Sequence, residues 1–339
     1  MLYNNVELYN IAEMEPTENG MRLCRFPSKL RGHLNVRAQN SAFYGCGTEI
    51  RFVLGSGKAT LRLRRDRCEG LSGTGLAEVY YGSFPAPYQV NPCYITQSGT
   101  EIVIPPPANL PLLKEISAKE KIPYSPELIR VLLPYDAGNV LVDIAGDLHP
   151  PKPGMAPQTR YLAYGSSITH GGSALSPSGS YAMRTSKALG VDLINLGLAG
   201  GAQMEPELAQ YIAHRDDWDF ATLEMGVNVM GEWDVQTFQS RVDTFVGCIA
   251  SAHPDKWIFC TDLFLNNSYW AENPKRDAYI GVVREKVKQM NLPRLYYIPG
   301  AELLSRWQGL SADLLHPCEE GFEEIARKLT DIIHRRVYP

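Results

Sequence analysis

The chain has 339 residues, a length that suits one large domain or two smaller ones, and two are favoured. Hydrophobic residues make up 44% of it and charged residues 21%, which is typical of a globular protein with a substantial core. A net charge of −4 without a long basic stripe argues against a nucleic-acid partner. The seven cysteines stand singly with no C-x-x-C pair, which argues against a zinc knuckle and a complete disulfide framework.

The amino-terminal stretch MLYNNVELYNIAEMEPTENG lacks the basic and apolar regions of a secretory signal. No apolar run in the sequence approaches the length needed to span a membrane. We therefore expect a cytoplasmic protein with reduced thiols and no membrane partner, although a chain already trimmed of its signal would look the same.

The first 150 residues read as short strands separated by Gly- and Pro-rich turns, with few amphipathic helices. The predicted strands are TEIRFVL (48–54), ATLRLR (59–64), AEVYYGSF (77–84), TEIVIP (100–105), LIRVLLP (128–134) and NVLVDIAG (139–146). The densest basic run, RLRRDR (62–67), alternates with leucine and is interpreted as one solvated strand face. Short, regularly spaced strands predict a β-sandwich of jelly-roll type.

The stretch GDLHPPKPGMAPQTR (146–160) has four prolines within eight residues. Proline removes backbone donors and fixes φ, so this run is expected neither to continue a sheet nor to start a helix. It predicts a boundary between a β-sandwich domain, residues 1–150, and a second domain, residues 151–339. A short, stiff linker also predicts that the first domain packs against the second and helps to wall the substrate site.

Strands and helices alternate after this boundary. The predicted strands are 160–165, 191–197, 220–226, 256–264 and 294–300, and the predicted helices are 180–190, 205–215, 235–253, 275–290 and 317–336. Such alternation implies right-handed crossovers, so we expect a doubly wound parallel sheet with helices on both faces, a three-layer α/β fold.

Polar residues and glycines follow the predicted strands of this second half. A serine pair follows the first strand, a glycine-rich turn the second, an Asn the third and an Asp the fourth, and ADLLHP (312–317) precedes the last helix. In open parallel sheets the functional loops lie at the carboxyl ends of the strands. A serine, a His, an Asp and free backbone amides are the parts required for acyl transfer.

The Asp313-x-x-His316 spacing lets the two side chains face each other in a turn that enters a helix. Asp313 could then accept the Nδ1 proton of His316 and leave Nε2 free to take a proton from a serine. Pro317 suits the first position of that helix. Taken alone, the pattern is loose, and an Asp that caps the helix beside a surface His is the simpler interpretation.

Four blocks in order strengthen the catalytic interpretation. They are GSSI (165–168), NLGLAG (195–200), GVNV (226–229) and DLLH (313–316). With these blocks the chain resembles the SGNH (GDSL-type) esterase and lipase family, whose patterns are G-D-S-L/I, N-x-G-x-x-G, G-x-N-D and D-x-x-H. The resemblance covers the second half of the chain, and it implies an SGNH-type three-layer sheet there.

The resemblance also implies site residues. Ser167 would be the nucleophile, His316 the general base and Asp313 its orienting carboxylate. The backbone amides of Ser167 and Gly200 and the side-chain amide of Asn228 would form the oxyanion hole. No metal or organic cofactor is expected to take part.

Two positions depart from the family pattern. Ser166 replaces the aspartate of the first block and Val229 replaces that of the third. Neither change removes a residue of the implied triad or oxyanion hole, so the resemblance still implies catalysis. The departures point away from the standard lipases, and a β-sandwich ahead of an SGNH domain is similar to two-domain carbohydrate acetylesterases and to some acyltransferases.

Several other residues could be mistaken for functional groups. His170 is too close in sequence to Ser167 to act as its base and is interpreted as part of the structural wall. His253 is expected at a helix end, Asp262 is expected to cap or form a turn, and Cys260 is expected to be an inert core thiol.

The tryptophans, all in the second half, leave two interpretations open. Trp233 and Trp270 follow strand ends, and either wall the substrate pocket or pack in the core or a lid.

The sequence thus predicts a serine esterase that removes a small acyl group, with acetyl favoured, from a carbohydrate-like or other polar ester. An acyltransferase that uses the same acyl-enzyme remains open. A non-catalytic carbohydrate-binding protein is a third possibility, and the intact Ser, His and Asp set argues against it. The oligomeric state and the alcohol moiety are not predicted.

Overall fold

The computed structural model describes residues 1–66 and 75–338. Within them the strands form two antiparallel sheets in the first 149 residues and one parallel sheet in residues 160–298. Arg67 and Cys68, predicted as part of a solvated strand face and as a reduced thiol, lie outside the described residues. In this part of the chain no helix is long and apolar enough to cross a membrane.

The antiparallel strands run from the amino terminus to His149. They are β1 Leu2–Tyr3, β2 Val6–Tyr9, β3 Glu13–Thr17, β4 Gly20–Cys24, β5 Glu49–Leu54, β6 Ala59–Asp66, β7 Leu76–Tyr81, β8 Phe84–Pro85, β9 Cys93–Tyr94, β10 Thr100–Ile104, β11 Leu128–Leu132, β12 Gly138–Ala145 and β13 Leu148–His149. One sheet has the order β1-β2-β5-β11-β7-β8, with β13 paired to β5 and β9 to β7. The other has the order β10-β6-β12-β4-β3.

One apolar core joins these two sheets. Ile50 and Phe52 of β5 and Leu61 and Leu63 of β6 are all fully buried in it. Alternate residues of a strand point to opposite faces, so Arg62 between the two leucines is exposed. The predicted solvated face is thus seen at Arg62, whereas Arg64 to Asp66 are half-buried.

All six strands predicted in this region are present, as β5, β6, β7, β10, β11 and β12. The sequence missed β1 to β4 and three helices, α1 Ser28–Arg31, α2 Val36–Ser41 and α3 Leu110–Glu120. Helix α3 buries only Ser117, so it has no apolar stripe to reveal it. Its proline lies in the first turn, where the missing N–H costs nothing.

The proline-rich stretch 146–160 corrects one prediction. It does continue a sheet, because Leu148 and His149 pair with Leu54 and Val53 of β5. The regular pairing ends where the prolines begin, at Pro150.

The second half forms the predicted parallel sheet. Its strands are β14 Arg160–Tyr164, β15 Asp192–Asn195, β16 Phe220–Glu224, β17 Trp257–Thr261 and β18 Leu295–Ile298, in the order β15-β14-β16-β17-β18. The strand order reverses at β14, because β15 lies on one side of it and β16 lies on the other. In a doubly wound sheet, ligands bind in the crevice outside the carboxyl end of the strands at such a reversal.

Helices cover both faces of this sheet, as predicted. They are α4 Ser167–His170, α5 Tyr181–Leu189, α6 Pro206–Ala213, α7 Val235–Ala252, α8 Pro274–Met290, α9 Gly300–Leu303 and α10 Glu319–Val337. Leu162 of β14 packs in a cluster with α6, α7 and α8, whereas Tyr161 packs in a second cluster with α5 and α10. The five predicted strands and five predicted helices are therefore confirmed.

Buried ions link the antiparallel region to the parallel sheet. The Arg51 guanidinium binds both carboxylate oxygens of Asp192, at 2.7 and 2.6 Å, and Tyr124 donates to the same carboxylate at 2.8 Å. Glu49 accepts from Arg51 and from Arg130. These four charged residues are each at most 4% exposed, so a buried ionic network joins the two regions beside apolar contacts such as those of Phe26 and Leu30 with the core that contains Leu162.

Candidate active site

A tight turn at the end of β14 holds Ser167. Gly165 has no room for a side chain, because a Cβ there would lie 2.2 Å from Thr169 Oγ1 and 2.4 Å from Glu224 Oε2. Ser166 then caps helix α4, its hydroxyl accepting from the Ile168 amide at 3.2 Å. Ser167 is therefore the first residue of a helix at the strand-order reversal, and it is 7% exposed.

A hydrogen-bonded chain runs from Ser167 to Asp313. Ser167 Oγ lies 2.8 Å from His316 Nε2, and His316 Nδ1 lies 2.6 Å from Asp313 Oδ2. The three residues that the resemblance implied are thus together, and Asp313 faces His316 as the spacing predicted. If the Nδ1 proton is donated to the carboxylate, Nε2 is free to accept the serine proton.

The loop around His316 is closed by its own hydrogen bonds. Asp313 Oδ1 accepts from the Leu315 and His316 amides at 2.9 Å and from Ser311 Oγ at 2.7 Å. Partial burial raises the pKa of Asp313, but the hydrogen bonds from His316 and Ser311 outweigh it and leave that pKa well below its usual value. Asp313 therefore carries a negative charge wherever the protein is folded near neutral pH.

The predicted start of the last helix is wrong by two residues. Helix α10 begins at Glu319, not at Pro317. Pro317 instead pairs with Leu310 in an isolated antiparallel bridge, and the Ser311 amide donates to the His316 carbonyl oxygen at 2.8 Å. This bridge closes the base of the loop that carries Asp313 and His316.

Gly200 and Asn228 lie on the same cavity as Ser167 and His316. Gly200 has a φ of 71°, in the left-handed region that favours glycine. Asn228 Oδ1 accepts from the Ala202 amide at 3.0 Å, which fixes the orientation of the side-chain amide relative to the loop that carries Gly200. One hydrogen bond thus ties the Asn228 side chain to the backbone two residues beyond Gly200.

The cavity has a volume of about 490 Å³ and is built from both halves of the chain. Its lining comprises Arg37, Asn40, Ser41, Tyr44, Ser167, Ala199, Gly200, Asn228, Leu315 and His316. The first four belong to α2 and the segment after it, which the sequence analysis did not single out. Another cavity of about 490 Å³, lined in part by Tyr9, Arg160 and Arg215, contains none of the residues predicted for catalysis.

Arg25 holds the two sides of the site together and was missed from the sequence. Its guanidinium donates to the carbonyl oxygens of Ser41 and Tyr44 at 2.9 and 2.6 Å, and to those of Asn195 and Gly197 at 3.0 and 2.9 Å. It is 1% exposed, and burial lowers its pKa. The signal in the sequence that could have indicated a buried arginine was its position within the apolar run LCRF (23–26).

His170 and His253 have structural contacts. His170 is buried, with Nδ1 3.0 Å from the Gly197 carbonyl oxygen and Nε2 2.7 Å from that of Tyr135, and burial together with the Arg25 charge lowers its pKa to about 4. His253 ends helix α7, as predicted, and its Nε2 lies 3.0 Å from the Ala213 carbonyl oxygen.

Asp262 and Cys260 also occupy structural positions, as predicted. Asp262 accepts from the Gly300 amide at the start of α9 and from the Tyr297 hydroxyl, and burial raises its pKa to about 6. Cys260 is fully buried in β17, and burial raises the pKa of its thiol to about 12.

The tryptophans do not line the cavity described above. Trp233 packs against the core on the α7 face, and Trp270 is 81% exposed with its ring edge-on to Trp307. Within residues 1–66 and 75–338, no group of three or more His, Cys, Asp or Glu side chains is arranged to hold a metal ion.

Solved structures similar to this chain share its two-part architecture. A salicylyl-acyltransferase, SsfX3, from a tetracycline biosynthetic pathway superposes with a TM-score of 0.79 and 17% identity, over 99% of this chain and 96% of that one. A putative GDSL-like lipase from Bacteroides ovatus gives 0.69 and 19%, over 98% and 95%. A family two carbohydrate esterase from Cellvibrio japonicus gives 0.65 and 15%, over 98% and 95%.

A search of curated proteins returned no match. A model of one protein family, however, matches residues 158–334, which is more than half of the chain. The matched segment contains β14 to β18 and all the residues of the hydrogen-bonded chain from Ser167 to Asp313. The chain therefore belongs to the GDSL-like lipase/acylhydrolase family.

Proposed function

We propose that this protein is a serine esterase that removes a small acyl group, such as acetyl, from a carbohydrate-like or other polar ester. The observation that carries the proposal is the chain of hydrogen bonds from Ser167 Oγ through His316 to Asp313, at the crevice outside β14. A nucleophile, a base and an orienting carboxylate in this order are what acyl transfer requires.

The reaction begins when Ser167 Oγ attacks the ester carbonyl carbon and His316 Nε2 takes the hydroxyl proton. The oxyanion that forms is stabilised by the amides of Ser167 and Gly200 and by the side-chain amide of Asn228. His316 then donates its proton to the leaving alcohol. A water molecule, deprotonated by His316, hydrolyses the acyl-enzyme and restores the serine.

We also propose the finer description of the fold. Residues 1–150 form a β-sandwich domain of jelly-roll type, and residues 151–339 form the catalytic domain. The single apolar core shared by the two antiparallel sheets supports the first assignment. The cavity supports a combined site, since Arg37, Asn40, Ser41 and Tyr44 wall it from the first domain.

The preference for a polar ester follows from that wall. All four side chains that it contributes carry a polar group, namely one guanidinium, one amide and two hydroxyls. Groups of this kind hydrogen-bond hydroxyl-rich compounds better than they accommodate an alkyl chain. The likeness to family two carbohydrate esterases, one of them solved in complex with cellohexaose, agrees with this choice.

A second candidate, an acyltransferase, uses the same acyl-enzyme with an alcohol acceptor in place of water. The likeness to a salicylyl-acyltransferase, with a TM-score of 0.79, favours it. Product analysis with and without added alcohols distinguishes transfer from hydrolysis.

The test is the pair of variants Ser167→Ala and Ser166→Ala, assayed on nitrophenyl esters of increasing chain length and on acetylated sugars. We expect Ser167→Ala to lose several orders of magnitude in rate with an unchanged melting temperature. Ser166→Ala loses a helix cap and is the control, with about 1 kcal/mol less stability and most of its activity retained. The reverse order of severity would show that Ser167 is not the nucleophile.

A further inference from the structure

A buried glutamate that the proposed reaction does not use lies beneath the nucleophile turn. Glu224 is the last residue of β16 and is 1% exposed. Its Oε2 accepts from the Ser166 amide at 2.5 Å and from Thr169 Oγ1 at 3.1 Å. Both donors are close to Ser167 in the chain, Ser166 one residue before it and Thr169 two residues after it.

The hydrogen bonds around Glu224 all point towards its carboxylate. An amide N–H can only donate, and the Tyr181 hydroxyl lies 2.7 Å from Thr169 Oγ1, so Tyr181 can donate to Thr169 while Thr169 donates to Glu224. Gly165 packs closely against the same carboxylate, because a Cβ at position 165 would lie 2.4 Å from Glu224 Oε2. Glu224 is therefore built into the turn.

The sequence departure in the first block now has a physical reason. The family pattern has an aspartate directly before the nucleophile, whereas this chain has Ser166. Here a carboxylate reaches the same turn from the neighbouring strand. An aspartate at position 166 would bring a second buried carboxylate beside the first, which is unfavourable unless one of them takes up a proton.

We propose that Glu224, from the end of β16, is the positioning residue of the nucleophile turn. Its carboxylate holds the Ser166 amide and the Thr169 hydroxyl, and thereby sets Ser167 in line with His316. This inference rests on the proposed function, because it assumes that Ser167 is the nucleophile.

The charge of Glu224 also acts on His316. Burial raises the pKa of Glu224, and the hydrogen bonds from Ser166 and Thr169 and the charge of His316 partly oppose that rise. The other titratable groups that interact with its charge are the buried hydroxyls of Tyr164 and Tyr181. The charges of Glu224 and His316 therefore attract each other.

The first experiment compares Glu224→Gln with Glu205→Gln. Glu205 is a matched control, because it is also buried and also accepts hydrogen bonds through one carboxylate oxygen. As in Glu224, its second oxygen has no hydrogen-bond partner within the described residues. We expect Glu224→Gln to lower kcat about tenfold with KM within about twofold, the loss expected when one charge-assisted hydrogen bond is weakened. Glu205→Gln should leave both kcat and KM within about twofold.

A fluorophosphonate that labels an activated serine separates failure of the inference from failure of the proposed function. Absence of labelling at Ser167 in the unmodified protein would overturn the proposed function itself. Labelling of the unmodified protein and of Glu224→Gln at equal rates across the pH range would overturn only the role of Glu224.

A second pair keeps the test informative if Glu224→Gln folds poorly. Ser166→Asp should lose at least about tenfold in kcat, because two buried carboxylates then compete for one turn. The double variant Ser166→Asp with Glu224→Gln should be more active than Ser166→Asp alone, since one charge is removed. Equal or lower activity of the double variant would refute the proposal.

Discussion

Replacement of Asp192 by Asn should destabilise the protein strongly without touching the active site. In the native structure two guanidinium groups, Arg51 and Arg130, are balanced by two carboxylates, Glu49 and Asp192, all at most 4% exposed. The variant replaces the bidentate carboxylate of Arg51 by an amide, and the Glu7 carboxylate, 3.9 Å from Arg51, is 34% exposed and therefore a weaker partner. Removing one partner of a buried ion pair typically costs about 3–5 kcal/mol.

That cost can be converted to a melting temperature. Unfolding entropy of about 2.1 cal/mol/K per residue gives roughly 0.7 kcal/mol/K for the whole chain, so the midpoint should fall by about 4–7 °C. Calorimetry on purified protein measures it directly. At 20 °C the variant should keep its kcat, because Asp192 lies at the opposite end of β15 from the loop that carries Gly200.

The matched control is Asp217→Asn. Asp217 forms an equally bidentate pair with Arg215, at 2.9 and 2.8 Å, but is 47% exposed. Exposed pairs contribute about 0–1 kcal/mol, so the control should shift the midpoint by no more than about 1–2 °C. A fall in Asp192→Asn no larger than in this control would refute the argument from burial.

Three further variants test single side chains. Asn228→Ala should lower kcat by about a hundredfold or more with little change in KM, because the Asn228 amide acts mainly in the transition state. A normal kcat with a raised KM would show that Asn228 is a substrate contact instead. Asp313→Asn should depress the rate from acid to neutral pH, because the carboxylate that fixes the His316 tautomer is ionised throughout, and an unaffected profile would exclude this pair. Burial raises the pKa of Asp262 from 3.8 to about 6, so the folded state binds this proton more tightly than the unfolded state does. The resulting contribution to stability is present below about pH 4 and is lost as the pH rises through about 6. Relative to Asp262→Asn, the unmodified protein should lose about 2 kcal/mol of unfolding free energy between pH 4 and 7, and denaturant titrations that show a constant difference would contradict this.

The parallel sheet and the residues at its strand ends could be predicted because their determinants are local. A buried strand followed by a glycine or a polar residue can be recognised within about ten residues of sequence. The parallel topology then brings the carboxyl ends of the strands to one edge of the sheet. Asp313 and His316 are three residues apart, so their contact required only a turn. Their contact with Ser167, in contrast, spans 149 residues and was available only through the four-block resemblance.

The wall of the site could not be predicted, because its contacts are distant in sequence and involve backbone atoms. Arg25 reaches the Gly197 carbonyl oxygen over 172 residues, and a carbonyl acceptor leaves no pattern in the sequence. Helix α2 has only six residues, too few to show a helical period. Glu224 was visible as a charged residue in the strand FATLEMG, but nothing local indicated that it faces Ser166.

The four carbonyl oxygens around Arg25 bear on how such a protein can diverge over generations. Every residue type carries a carbonyl oxygen, so the identities of Ser41, Tyr44 and Gly197 matter less to the guanidinium than the path of the main chain. Arg25 therefore constrains the length of the two segments more than the identity of Ser41 and Tyr44, whereas Gly197 has no room for a side chain, since a Cβ there would lie 2.5 Å from the His170 backbone nitrogen. Insertions or deletions would displace the oxygens and leave a buried cation without acceptors, so we expect descendants to keep the length of both segments.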